Sequence, residues 1–174
     1  MEILAATQDL FVSDLEKLWG HLLVPLRDSC VPNGSAPLVD APELAALLER
    51  VSALLEVHRR LRLELDSRVA QWVKGGECIG DVMLRFAPMI KAAHRWSSQE
   101  FTVVNSWRTN HPNAREIDML LHSAEKSCGE SLSTLMLQPT LRLGTYAHIL
   151  EEFLLHTPSS VNFLREFCLF QLFL

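Results

Sequence analysis

The chain has 174 residues, 48% of them hydrophobic and 21% charged, with seven glycines and eight prolines. That length suits one domain able to bury roughly 68–70% of its unfolded surface, and the composition excludes a disordered tail, a collagenous repeat and low-complexity material. With 16 Lys+Arg against 21 Asp+Glu the formal charge is −5, which leaves no basic face for a nucleic-acid backbone and makes nucleic acid a poor partner.

The first periodic segment lies between Ile3 and Leu26, where Leu4, Phe11, Leu15, Leu18 and Leu22 recur at helical spacing. From Asp28 to Asp40 the residues Pro32, Asn33, Gly34, Ser35 and Pro37 form a turn-rich loop without apolar period. Asp40 and Pro42 then give a helix start, and a stripe from Leu44 through Val51, His58, Leu65 and Trp72 predicts a long helix ending at Gly75-Gly76. A third helix is marked by Ile79, Val82, Phe86 and Ile90, with a kink expected at Pro88. A short fourth is expected over Phe101, Val104 and Trp107, and a fifth from Asn113 to Gly129. A sixth runs from Ser131 across Pro139 to Pro158. No segment alternates long enough to be a strand, so the fold class is all-α, a helical bundle.

Chemistry-bearing patterns are sparse. The seven histidines form no HExxH or i,i+4 pair and the four cysteines no CxxC, so neither a metal nor another cofactor is expected. GxSxG and GxxxxGK[ST] are absent, which leaves acyl transfer and nucleotide hydrolysis without their usual parts; no catalytic residue is assigned. His58 falls on the apolar stripe of the long helix and reads as a core or boundary histidine, not a catalytic base. The run from His58 to Arg68 interleaves Arg59, Arg60, Arg62, Glu64, Asp66 and Arg68 with leucines, which reads as a solvated face with i,i+4 pairs. The widely spaced cysteines read as reduced thiols. Without a basic n-region or an 18-residue apolar run, the expected setting is soluble and cytoplasmic, touching membrane only indirectly. On the residues alone this is a helical protein that binds other proteins.

Three blocks sharpen that reading. TQDLFVSDLEKL, with Thr7, Phe11, Val12 and Leu15, is followed by LLEVHRRLRLELDSRVAQW and CIGDVMLRFAPMI, with His58, Leu65, Arg68, Trp72, Ile79, Gly80 and Asp81. The third block is LSTLMLQPTLRLGTYAHILEEFLLHTP, with Leu132, Leu135, Pro139, Arg142, Tyr146, Leu150 and Thr157. In order across residues 1–158, they resemble the Dbl-homology domain of Rho-family guanine nucleotide exchange factors. The resemblance implies a partner, a Rho-family small GTPase, whose two switch loops are gripped by the first helix and the third-block helix so that Mg²⁺ and GDP are released without a nucleophile. The residues it points to for GTPase binding are Glu2, Gln8, Gln138, Leu141 and Arg142.

The chain departs from the family pattern at Gln8, where the family has Glu, at Gln138, where it has Lys, and at Leu141, where it has Gln. Loss of charge weakens a hydrogen bond, so weak exchange is expected; the alternative is a degenerate module that docks a GTPase or serves as a scaffold. Residues 159–174 are expected to be a shortened, apolar replacement for the family's long last helix. From Phe163 to Leu174 only Arg165, Glu166 and Gln171 break the apolar run, which suggests self-association, with a membrane-dipping tail as the rival.

Overall fold

The structure, a computed structural model, describes residues 2–29, 38–72, 79–95 and 97–155. Among these every regular element is a helix: α1 (Glu2–Lys17), α2 (Val24–Ser29), α3 (Ala41–Trp72), α4 (Gly80–His94), α5 (Ser97–Asn110), α6 (Ala114–Cys128) and α7 (Leu132–Leu155). The expected ending near Gly75-Gly76, the side chain of Trp72 and the whole segment 159–174 lie outside the described residues.

The first predicted helix is continuous but not regular. Leu18–Leu23 forms a π-helical stretch joining α1 to α2, with Leu18, Leu22 and Leu23 buried in it and Leu26 beyond them. α3 begins where Leu44 N–H donates to the Asp40 carbonyl at 3.1 Å. At 32 residues it spans about 48 Å, the longest strut of the bundle. α4 and α7 run without a break through Pro88 and Pro139. α5 is longer than the sequence suggested and is held to α3 by Trp107, whose indole N–H donates to Glu43 at 2.9 Å. α6 stops at Gly129, which adopts a left-handed φ of 74° while its N–H donates to the Glu125 carbonyl.

Two large apolar clusters fill the interior. One gathers Leu22, Leu26, Leu47, Trp107, Leu121 and Leu135 where the π-helical stretch, α3, α5, α6 and the start of α7 meet. The other gathers Leu4, Leu61, Leu65, Ile90, Tyr146 and Leu150 between α1, α3, α4 and the far half of α7. A smaller group of Phe11, Val12, Leu15, Leu54 and Leu55 joins α1 to α3.

The charged run on α3 does not behave as expected. Arg60 makes an i,i+4 pair, with Glu56 at 2.7 Å. The others reach neighbouring helices: Arg59 to Glu16 at 2.8 Å and Arg62 to Asp9 at 3.5 Å on α1, Glu64 to Arg85 at 2.5 Å and Arg68 to Asp81 on α4. Alternating residues on a helix 32 long face both neighbours, so long arginines bridge helices instead of pairing along their own.

No described helix is long and apolar enough to cross a membrane. Among the described residues no group of three His, Cys, Asp or Glu side chains could hold a metal ion.

Candidate functional site: the α1/α7 face

α1 and α7 lie side by side in opposite directions. Lys17 at the end of α1 pairs with Glu130 just before α7. Phe11 lies under the Arg142 guanidinium at 5.5 Å, and Gln8 meets Arg142 and Tyr146. Leu4 and Leu150 fall in the same apolar cluster. One helix therefore descends as the other rises.

Between them lies a buried polar network. The Oε1 of Gln8 accepts from Arg142 Nη2 at 2.8 Å and from the Tyr146 hydroxyl at 2.5 Å, while its Nε2 donates to the His58 carbonyl at 3.0 Å and lies 3.2 Å from His58 Nδ1. The Tyr146 oxygen is also 3.0 Å from that Nδ1, and His58 Nε2 faces His94 Nε2 at 2.7 Å. Gln8, His58 and Tyr146 are fully buried, and His94 and Arg142 are 5% exposed.

The bonding pattern fits two neutral imidazoles: Nδ1 of His58 accepts, and its Nε2–H donates to His94. Burial drives the His58 ring well below its ordinary pKa of 6.5, assisted by His94 and the Arg142 charge. It brings His94 down to about 4, with the Pro139 carbonyl working the other way and Arg142 adding to the fall. Burial pushes the Tyr146 hydroxyl up to about 12 against the opposing pull of Arg142 and Gln8.

Arg142 is the one full charge in the network. Its guanidinium lies 4.3 Å over the Tyr146 ring, but Gln8 is its hydrogen-bond acceptor and its Nε has no partner among the described residues. Aromatic faces and an amide offset part of the cost of burying this cation, and a carboxylate at position 8 would offset more.

The five residues singled out in the sequence thus fall at two depths. Gln8 and Arg142 touch each other in the interior. Glu2 is exposed at the start of α1, Leu141 is 61% exposed on α7 and Gln138 is half-buried beside it. His94 was not picked out by sequence, although it stands four residues after Ile90 on the buried stripe of α4 and that spacing marks it as interior. Ile3 and Leu10 were also missed, because a single apolar residue off the main stripe looks incidental. They are 71% and 68% exposed, seven residues apart, in the column that ends at Lys17 and hence on the α7 side of α1. The opposite flank carries Asp9 and Glu16, which pair with α3. Since Phe11 is level with Arg142, Leu10 and Leu141 stand at about the same height on the two helices.

Comparison with known proteins gives this face its context. The RhoGEF domain family matches residues 2–165. The chain belongs to the RhoGEF domain family. FYVE, RhoGEF and PH domain-containing protein 1 from Mus musculus and its counterpart from Homo sapiens are each 24% identical over 162 residues, covering 89% of this chain. The chain spans 16% of the length of these relatives. Among solved structures, the complex of PDZ-RhoGEF DH/PH domains with GTP-γ-S activated RhoA matches at a TM-score of 0.73. The identity is 16%, and the match covers 99% of this chain and 48% of that one. That likeness establishes a shared fold, the all-α bundle of RhoGEF domains.

Proposed function

We propose that this RhoGEF domain binds the switch regions of a Rho-family GTPase across the α1/α7 face and promotes GDP release. The observation that carries the reading is the pairing of α1 with α7 over a buried network, which leaves Leu141 exposed and Gln138 half-buried on α7 and Leu10 exposed on α1 in a chain of this family. The chemistry is differential binding: the face must hold the nucleotide-free GTPase more tightly than the GDP form, and no covalent step is required of the domain. Glu2, Gln138 and Leu141 are the proposed contact residues, and Gln8 and Arg142 support them from beneath.

Gln138 and Leu141 favour weak exchange, because a neutral hydrogen bond from Gln138 is about half as strong as a charge-assisted one and the Leu141 side chain makes none. They also favour a second reading, a docking module that binds without releasing nucleotide. GDP release from a panel of purified Rho-family GTPases, with and without this chain, tests both. Acceleration supports exchange; binding of the nucleotide-free form at the intrinsic release rate supports docking; neither outcome for any GTPase refutes the reading.

The apolar sequence of residues 159–174 supports self-association as a further property, checked by light scattering on the full chain and on a form ending at Ser160. A full chain that stays at its monomer mass at all concentrations refutes it.

A further inference from the structure

The outward face of α7 carries no charge up to Leu150, and Glu151 and Glu152 are exposed in its last turn. Between Leu132 and Leu150 the only Asp, Glu, Lys or Arg is Arg142, and that residue is turned inward and 5% exposed. What the helix offers to solvent is Leu137 at 42% and Leu141 at 61%, separated by threonines, Gln138 and Gly144. The adjoining flank of α1 adds Ile3 and Leu10 around Thr7, which spends its hydroxyl on the Leu4 carbonyl at 3.0 Å. Of the ions on α1, Lys17 pairs with Asp14 and Glu130, Asp9 pairs with Arg62 of α3, and Glu2 is exposed at the start of the helix.

In a chain where 21% of residues are charged, a neutral helix face of this length with protruding leucines is an unusual surface. Four of the seven large hydrophobic side chains that stand exposed among the described residues are Ile3, Leu10, Leu137 and Leu141.

We propose that this neutral face selects its GTPase by apolar contact, with Leu141 and Leu10 as the specificity-determining residues for a switch surface that presents large uncharged side chains. The proposal rests on the reading of α1/α7 as the GTPase-binding face and adds the chemistry of the partner. Charge complementarity decides the occupant. A partner charge buried against Leu10 and Leu141 would find no counter-ion and would bear its full desolvation cost, so charged surfaces are rejected and apolar ones accepted. Association driven by apolar burial is also insensitive to salt, because there is little field at the face to screen.

The test measures dissociation constants of the full chain for a panel of nucleotide-free Rho-family GTPases at low and high sodium chloride. Comparison is with Leu141→Asp, Leu10→Asp and the control substitutions Leu63→Asp and Met119→Asp. Leu63 and Met119 are as exposed as Leu141 but sit on α3 and α6. The expected result is a wild-type constant that changes less than about threefold over a tenfold change in salt. Each α1/α7 variant should weaken binding about tenfold or more, with both controls within about twofold, since one buried unpaired charge outweighs 1.4 kcal/mol per decade. Circular dichroism shows whether each variant keeps its helix; Leu141→Gln, the neutral variant, should bind more weakly than wild type but more tightly than Leu141→Asp. Wild-type affinity in Leu141→Asp, or tenfold weakening by salt, overturns the apolar selection while leaving the binding face intact. Absence of binding to every GTPase by the wild-type chain removes the binding reading itself and this inference with it.

Discussion

Arg142 donates to Gln8 across 2.8 Å in the interior, a full cation held by a neutral amide. Both side chains are within 5% of complete burial, so the mismatch of charge is a stability matter before it is an interface matter. Gln8→Glu places a carboxylate where the amide oxygen stands, able to accept from Arg142 and from the Tyr146 hydroxyl. The other tautomer of His58 can donate from Nδ1 to the new carboxylate, while the His58 carbonyl loses the donor it had in Gln8 Nε2. A charge-assisted bond is roughly twice as strong as a neutral one, so the variant is expected to gain about 1 kcal/mol and to melt about 2–4 °C higher. A lower melting temperature would show that the two Nε2 contacts to His58 outweigh the missing counter-charge.

Acid is expected to weaken the fold through the histidine pair. His58 and His94 are held neutral, with pKa values below the unfolded 6.5, so the unfolded chain binds more protons as pH falls. Their contribution is complete above about pH 6.5 and is lost progressively as the pH drops toward the folded value of about 4 for His94. His94 alone should then cost about 2 kcal/mol by pH 5, read as a fall in the urea midpoint between pH 7.5 and pH 5. His94→Gln should flatten that dependence, and equal pH slopes for the two proteins would refute the assignment.

Tyr146→Phe probes the network from its other side. The hydroxyl donates to Gln8 Oε1 and lies 3.0 Å from His58 Nδ1, but each keeps another partner when it is removed, Arg142 for the oxygen and Gln8 Nε2 for the nitrogen. No group is stranded, so the cost should stay near 1 kcal/mol, at the low end for a buried hydrogen bond. A loss of about 3 kcal/mol in chemical denaturation would mean that the chain of bonds acts as one unit.

The order of helices was readable because the apolar stripes are long. Leu44 to Leu65 on α3 and Ile79 to Ile90 on α4 keep one face buried without interruption, and His58 was placed inside by its position on such a stripe. The interior role of Gln8 was harder to read. It stands four residues after Leu4 and three before Phe11, on the buried stripe of α1, yet an amide there is stable only because Arg142 and Tyr146 lie more than 130 residues away in sequence. The π-helical stretch was invisible for a related reason: Leu15, Leu18 and Leu22 keep helical spacing, so the apolar pattern carries no mark of the wider turn. Interhelical ion pairs on α3 likewise depend on which helices pack beside it, a property of the assembled bundle.

Two glycines make opposite predictions from one substitution. Gly129 holds φ at 74° as the left-handed residue that ends α6, and a Cβ built there meets nothing within 4 Å. The penalty of Gly129→Ala is therefore purely one of backbone conformation, about 1 kcal/mol, which lowers the melting temperature by about 2–4 °C in a chain of this size. Gly144 lies inside α7 on its exposed face, where a Cβ also meets nothing. Here alanine removes backbone freedom from the unfolded chain without strain, and Gly144→Ala should stabilise by about 0.5–1 kcal/mol. If both substitutions shift thermal unfolding in the same direction, either the left-handed end of α6 or the helical continuity of α7 through residue 144 is wrong. Circular dichroism of the two variants then identifies which, since only a broken α7 would gain helix signal when Gly144 becomes alanine.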